Sequence, residues 1–110
     1  MDNEVKILFV DFVGFERTVK VMSYARGLCK TVNHPISNAI YKIDERIEVA
    51  EVKKIKEFKN FGILGKVNGE EVLLGNEKIM RENNVELKGE TANKIFLAID
   101  NRVQAVFRIG

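Results

Sequence analysis

Cysteine, proline, histidine and tryptophan are scarce in this sequence: its 110 residues include one each of the first three and no tryptophan. The lone cysteine, Cys29, has no disulfide partner, which excludes a disulfide-stapled scaffold and favours a cytosolic setting. One histidine and one cysteine are too few for a His/Cys cluster, so no metal ligands are predicted. No apolar run approaches the roughly 20 residues that cross a bilayer, and the acidic start is not typical of a signal peptide.

Charge is balanced rather than concentrated in one sign. The chain has 18 basic and 16 acidic side chains, a net charge of +2, and 45% of its residues are hydrophobic. This small net charge does not favour binding to nucleic acid or direct contact with a membrane, so neither is predicted as a partner. Length and apolar fraction predict one folded domain over residues 1–110.

The hydrophobic pattern of the first half predicts one strand and two helices. Residues 5–13 are almost continuously apolar, which is typical of a central strand, and Gly14 ends this run. From Phe15 the apolar residues recur at helical spacing. The predicted buried face comprises Phe15, Val19, Met22, Ala25 and Cys29. A second helix is predicted to follow Pro35 and to reach Ile47. Residues 49–59 fit a helix by their spacing and a strand by their β-branched content.

Two hairpins and a short helix are predicted in the second half. Asn68-Gly69 separates the apolar segments 63–67 and 71–74, and this dipeptide indicates a type I′ turn because both residues tolerate positive φ. Asn76 is a good N-cap for a helix through about Asn83. Residues 84–93 are polar and predict a loop, and a second hairpin is predicted from strands at 94–99 and 102–109.

The pair His34-Pro35 is the most informative local motif. A residue before proline is held in an extended conformation, so His34 is predicted at the N-cap and Pro35 at the first position of the second helix. Free amides at the helix start then lie near the imidazole, and glycines further along let more backbone approach a ligand. Taken alone, however, a single histidine is more often a surface or capping residue.

These motifs, in this order, resemble the nucleotide-binding (N) domain of heavy-metal-transporting P-type ATPases of the copper-type (P1B) branch. That family has a Ser-Glu-His-Pro segment, a Gly-x-Gly stretch, an Asx-Gly turn and a strand ending in Gly-Asn. The matching segments here are Val32–Ile40, Asn60–Asn76, residues 77–83 and the final hairpin, Ile95–Gly110. The resemblance favours a strand within residues 49–59. The resulting order, β-α-α-β-β-β-α-β-β, predicts an α+β fold: a single antiparallel β-sheet flanked by helices.

The resemblance also implies a function. The chain would be the ATP-binding domain of a heavy-metal (copper) translocating P-type ATPase and would present the γ-phosphate of ATP to an aspartate of a separate phosphorylation domain. Its partners would be ATP, with Mg²⁺ in the full enzyme, and the phosphorylation, actuator and transmembrane domains of the parent pump. It would then be a cytoplasmic domain of an integral membrane protein. The Asp-Lys-Thr-Gly motif is absent from the sequence, so no catalytic residue is assigned and the isolated domain should bind nucleotide without turnover.

By matched position, the nucleotide-contacting residues are expected to be His34, Gly62, Ile63, Gly65, Gly75 and Asn76. His34 would orient the base and sugar region. Gly62 and Gly65 would let the strand lie flat against adenine, and Ile63 would form part of an apolar wall. Gly75 would be a turn or packing glycine. Asn76 would add a polar contact at the pocket edge, although a plain helix cap explains this residue equally well.

Three positions depart from the family pattern, so the ligand contacts at these positions are left undecided. Cys29 replaces a glutamate five residues before the histidine, Asn33 replaces a second glutamate, and Asn60 replaces the first glycine. Two alternatives also remain: a non-enzymatic interaction module that uses a sheet edge or the basic run at 53–56, and a degenerate N domain with a structural or regulatory role. The transported ion is not specified by this chain, because its ligands would lie in membrane helices.

Overall fold

The computed structural model describes residues 4–110 and contains nine elements in the predicted order. They are β1 (Ile7–Phe12), α1 (Thr18–Lys30), α2 (Pro35–Tyr41), β2 (Lys53–Phe58), β3 (Gly62–Val67), β4 (Glu70–Gly75), α3 (Glu77–Glu82), β5 (Lys94–Ile99) and β6 (Arg102–Ile109). The strands form one antiparallel sheet of order β1-β6-β5-β4-β3-β2. The α+β class and the single sheet are therefore confirmed. Within the described residues, no helix is long and apolar enough to span a membrane.

Helices cover both faces of the sheet, and each face has its own apolar core. Leu28 of α1 packs with Ile63 and Phe107 in the larger core, between the sheet and the pair α1–α2. Met80 of α3 packs with Phe96 in a smaller core on the other face. Alternate residues of a strand point to opposite faces, so the two cores draw on alternate positions of the same strands.

The two predicted hairpins are present with the predicted turns. Asn68 and Gly69 have φ of 51° and 81°, and Asp100 and Asn101 have φ of 48° and 67°. Positive φ at both central residues is the type I′ geometry, whose twist matches that of the flanking strands. The Asn68-Gly69 turn joins β3 to β4 and sets their register, which places Gly62 opposite Gly75.

Strand β1 lies at the edge of the sheet, and the prediction of a central strand is wrong. It pairs only with β6, and its apolar side chains are largely solvent-facing: Leu8 is 61% exposed and the following Val13 is 59% exposed. A continuous apolar run shows that both faces of a strand are apolar. It does not show how many strands lie beside it, and here one neighbour is missing within residues 4–110.

Helix α1 begins later than predicted. Residues 13–16 hydrogen-bond to β6 instead of entering the helix: the Val13 amide donates to the Gln104 carbonyl (3.0 Å), and the Glu16 amide donates to Gln104 Oε1 (3.1 Å). Phe15 therefore lies outside α1 and is 90% exposed, and Val19 in its first turn is also exposed. The rest of the predicted face, Met22, Ala25 and Cys29, is buried as expected.

Helix α2 ends at Tyr41, so the predicted extension to Ile47 is wrong. The guanidinium of Arg26 is buried and donates hydrogen bonds to the backbone carbonyls of Tyr41, Glu45 and Ile47. It also stacks on the Tyr41 ring at 4.3 Å. One cation from α1 thus satisfies carbonyls that a longer helix would have used internally, and the chain turns there.

Candidate functional site

His34 caps α2, as its place before proline predicts. Its φ and ψ are extended, Pro35 occupies the first helical turn, and its Nδ1 accepts a hydrogen bond from the Ile36 amide at 3.1 Å. Because Nδ1 is the acceptor, a neutral ring carries its proton on Nε2. No group within residues 4–110 is seen to pair with Nε2, and the side chain is half-buried. His34 is thus held at one nitrogen while the other can meet a ligand.

Phe61 is the aromatic neighbour of His34. The two ring centroids lie 4.9 Å apart with an interplanar angle of 43°. Phe61 is buried, and it follows Asn60 in a turn where both residues have positive φ, 62° and 75°. This turn leads directly into Gly62 at the start of β3. The contact therefore joins the start of α2 to the start of β3.

Gly62 and Gly75 form a buried glycine pair across two strands. They are register partners at the ends of β3 and β4, and both lie under Ile79 of α3. A Cβ on Gly62 would stand 3.0 Å from Ile79 side-chain carbons, and one on Gly75 would stand 2.9 Å from Ile79 Cγ2 and 3.4 Å from Gly62 Cα. The predicted packing role of Gly75 therefore has a geometric basis, and Gly62 shares it.

Asn76 links α3 to the turn before β3. Its Oδ1 accepts from the Ile79 amide at 3.0 Å, which makes it the N-cap of α3 as predicted. Its Nδ2 donates to the carbonyl of Asn60 at 3.0 Å. The side chain is thus engaged at both ends, and it stabilises the turn that carries Phe61.

Ile63 and Gly65 lie on the α1 side of β3, opposite the face of the Gly62–Gly75 pair. Ile63 is fully buried in the larger core. A Cβ on Gly65 would stand 2.4 Å from Val52 Cγ1 and 3.0 Å from Leu28 Cδ2. Both residues therefore have packing roles here, and contact with adenine stays a prediction for them.

The structure divides the predicted residues between the two faces of the sheet. His34 packs on Phe61 on the α1–α2 side, whereas Gly62 and Gly75 face Ile79 on the α3 side. Asn76 is connected to the turn that carries Phe61 through its hydrogen bond to Asn60. Phe61 was missed at the sequence level, where it was only the middle residue of the Gly-x-Gly match. The available signal was Asn60, because asparagine readily adopts the left-handed conformation and so marks a turn before β3.

Cys29 does not present a polar group to this region. It is 2% exposed, and burial raises the pKa of its thiol to about 12, an effect that the neighbouring Ser37 hydroxyl partly opposes. Cys29 and its neighbours line an open cleft of about 400 Å³ between α2 and the segment that connects α1 to α2. The cleft is lined by Cys29, Lys30, Thr31, Val32, Asn33, Asn38 and Tyr41. The prediction of Cys29 as a small core residue is confirmed.

Positive charge lies near the Gly62–Gly75 pair, and a metal cluster is not found in the described part of the chain. Lys56 Nζ sits 5.1 Å from the centre of the Phe58 ring, whose edge would be 3.1 Å from a Cβ on Gly62. The lysines of β2 are exposed, which suits a solvated edge. Among residues 4–110, no group of three or more His, Cys, Asp or Glu side chains could hold a metal ion.

Comparison with known sequences gives distant relatives. No family model matches the sequence. A copper-exporting P-type ATPase of Staphylococcus epidermidis is 23% identical over 115 aligned positions, covering 91% of this chain and 14% of the relative. A cadmium, zinc and cobalt-transporting ATPase of Bacillus subtilis is 35% identical over 72 positions, covering 63% of this chain and 10% of the relative. This chain therefore spans only a small part of the length of these curated relatives.

Comparison with solved structures identifies proteins whose fold is closely similar to that of this chain. The N-domain of HMA6, a copper-transporting P-type ATPase, aligns with a TM-score of 0.78 at 18% identity, over 98% of this chain and 100% of that domain. The catalytic domain of the CPx-ATPase CopB-B, described for its conformational changes upon nucleotide binding, aligns with a TM-score of 0.74 at 22% identity, over 97% of this chain and 37% of that one. The resemblance predicted from the motifs is thus confirmed: this chain has the fold of the N-domains of copper-transporting P-type ATPases.

Proposed function

We propose that this chain is the ATP-binding domain of a heavy-metal-translocating P-type ATPase of the copper type. Nucleotide would bind beside His34 and the turn before Gly62 that Asn76 holds, and the domain would present the γ-phosphate to the aspartate of a separate phosphorylation domain. The observation that carries this proposal is the His34 imidazole, which is fixed through Nδ1, has no partner seen at Nε2 among residues 4–110, and packs on Phe61 directly before Gly62.

The residues at this region suit a nucleotide. The His34 imidazole offers a planar face and a donor for the base and sugar. Gly62 and Gly75 would support the site by packing closely against Ile79, whose side chain fills the space that their Cβ atoms would occupy. Ile63 and Gly65 would support the strand from the core side. Phosphoryl transfer depends on the positioning of the reacting groups and on charge stabilisation, to which Mg²⁺ would contribute in the full enzyme. The Asp-Lys-Thr-Gly motif is absent from this sequence, so the domain by itself should bind ATP and not hydrolyse it.

The parent protein would be a membrane pump whose phosphorylation, actuator and transmembrane domains are the other partners, with this domain on the cytoplasmic side. The geometry of the first and last strands supports this. β1 and β6 are paired neighbours, and the Gly110 amide donates to the Lys6 carbonyl at 3.1 Å. A first and a last strand that lie side by side would suit a module inserted into another domain.

A partner-binding module without nucleotide remains the second candidate function. It is favoured by the apolar edge of the sheet, where Leu8, Val13, Phe15 and Val19 are each at least 59% exposed. Exposed apolar patches often mark interaction surfaces. A degenerate N domain would keep this edge and lose nucleotide binding.

The test compares His34→Asn with His34→Ala. Asparagine is among the best N-cap residues, so His34→Asn keeps the acceptor for the Ile36 amide and removes only the imidazole. We expect both variants to lose about five- to thirtyfold in ATP affinity by calorimetry. Only His34→Ala should lose stability, by about 1 kcal/mol. Unchanged ATP affinity in a folded His34→Asn variant would remove His34 from the site.

A further inference from the structure

We propose that Phe61 is a positioning residue for His34: its ring holds the imidazole in the orientation that nucleotide binding uses. The role in nucleotide binding rests on the proposed function, whereas the effect on His34 itself does not. The proposal has three independent supports: a ring contact, an unfavourable backbone conformation, and a hydrogen bond that maintains this conformation.

The contact with the Phe61 ring restricts a movement of the His34 imidazole that the helix-cap hydrogen bond still allows. A hydrogen bond through Nδ1 fixes one edge of the imidazole but still allows the ring to rock about that bond. The Phe61 ring, with its centroid 4.9 Å away and tilted by 43°, lies in the range of favourable aromatic pairs. Together the two contacts leave the imidazole one orientation, with Nε2 as the remaining polar atom.

The backbone conformation of Phe61 indicates that this position needs the phenylalanine side chain, because the backbone alone would favour glycine. Its φ of 75° lies in the left-handed region, where a bulky residue is uncommon and glycine is the ordinary occupant. Such a conformation persists only when the surroundings over-determine it. Here a phenylalanine occupies it with its ring buried and packed on His34.

Asn76 supplies part of this constraint. Its Nδ2 donates to the carbonyl of Asn60, which also has positive φ, so the two-residue turn is tied to the start of α3. Asparagine tolerates the left-handed region better than most residues. The turn is therefore held at its first residue by Asn76 and at its second by the core, and it presents the Phe61 ring to His34.

A simpler role for Phe61 is that of an ordinary core aromatic, and Phe107 provides the matched control. Phe107 is fully buried in the same core. We would therefore compare Phe61→Leu, Phe61→Tyr and Phe107→Leu. The first removes the ring at the site, the second restores an aromatic ring there, and the third removes a core ring elsewhere.

The first measurement uses the free protein. His34 is the only histidine in the chain, so its imidazole ¹⁵N signals are assigned without ambiguity. In Phe61→Leu these signals should move towards the average of the two tautomers, and the Ile36 amide proton should exchange with solvent about tenfold faster, because the imidazole no longer keeps Nδ1 on that amide. Phe61→Tyr and Phe107→Leu should keep the wild-type pattern.

The second measurement is ATP affinity. Phe61→Leu should bind ATP about three- to tenfold more weakly, while Phe61→Tyr and Phe107→Leu stay near wild type. Unchanged His34 ¹⁵N signals in Phe61→Leu would overturn the proposal, and so would an equal change in Phe107→Leu. If the wild-type domain binds no ATP, the proposed function fails, and the His34 signals still decide whether Phe61 orients this ring. If Phe61→Leu does not fold, Phe61→Met takes its place in both measurements.

Discussion

At the level of single residues, His34 combines a structural and a proposed binding role through its two ring nitrogens. Nδ1 caps α2, and Nε2 is the atom left for a ligand. The cap could be predicted from the sequence because proline restricts the residue before it. The contact with Phe61 could not, because it depends on how the turn before β3 packs against α2.

Cys29 allows a direct test of burial in the larger core. The folded state holds the thiol proton more tightly than the unfolded state, since its pKa is raised from 9.0 to about 12. This contribution to stability is complete below pH 9 and is lost as pH rises towards about 12. Because the thiolate is the reactive form, alkylation of the native protein at about pH 8 should be at least a hundredfold slower than in urea.

Cys29 is the only cysteine, so mass spectrometry gives the rate of labelling without ambiguity. Equal rates in native and unfolded protein would show that the thiol is accessible. The same burial bears on the family's glutamate at this position: Cys29→Glu would place a carboxylate in the core and should destabilise the fold.

At the level of elements, the extent of each helix was the least predictable feature. Apolar spacing placed α1 and α2 correctly but could not show that Gln104 holds the chain before Thr18, or that Arg26 binds carbonyls after Tyr41. Both effects are side-chain hydrogen bonds between residues distant in sequence. The hairpin turns, by contrast, depend on their own two residues and were predictable.

Asn76 should contribute to stability through α3 and to the site through the turn. Asn76→Ala removes both of its hydrogen bonds, whereas Asn76→Ser keeps a cap for the Ile79 amide and loses the link to Asn60. We expect Asn76→Ala to lower the free energy of unfolding by about 1–2 kcal/mol and Asn76→Ser by about 0.5 kcal/mol, as measured by urea denaturation. Equal losses would mean that the cap contributes little.

At the level of the whole molecule, the two edges of the sheet differ in character. The β2 edge carries exposed Lys53, Lys54 and Lys56, which oppose edge-to-edge pairing. The β1 edge is apolar and exposed, with Asp11 as the only charged residue in the strand. The sequence predicted the sheet and its strands, but the position of β1 depends on its neighbours and could not be predicted from its own residues.

The most direct test of the account is a titration of the isolated domain with ATP and AMP, followed by backbone amide NMR. The proposed site predicts shifts concentrated at His34, Phe61, Gly62, Gly75 and Asn76, with no release of phosphate on prolonged incubation. Shifts confined to β2 would instead indicate attraction of phosphate to its lysines, and no shifts at all would favour the partner-binding module. Either of these two results would contradict a nucleotide site at the junction of α2, β3 and β4.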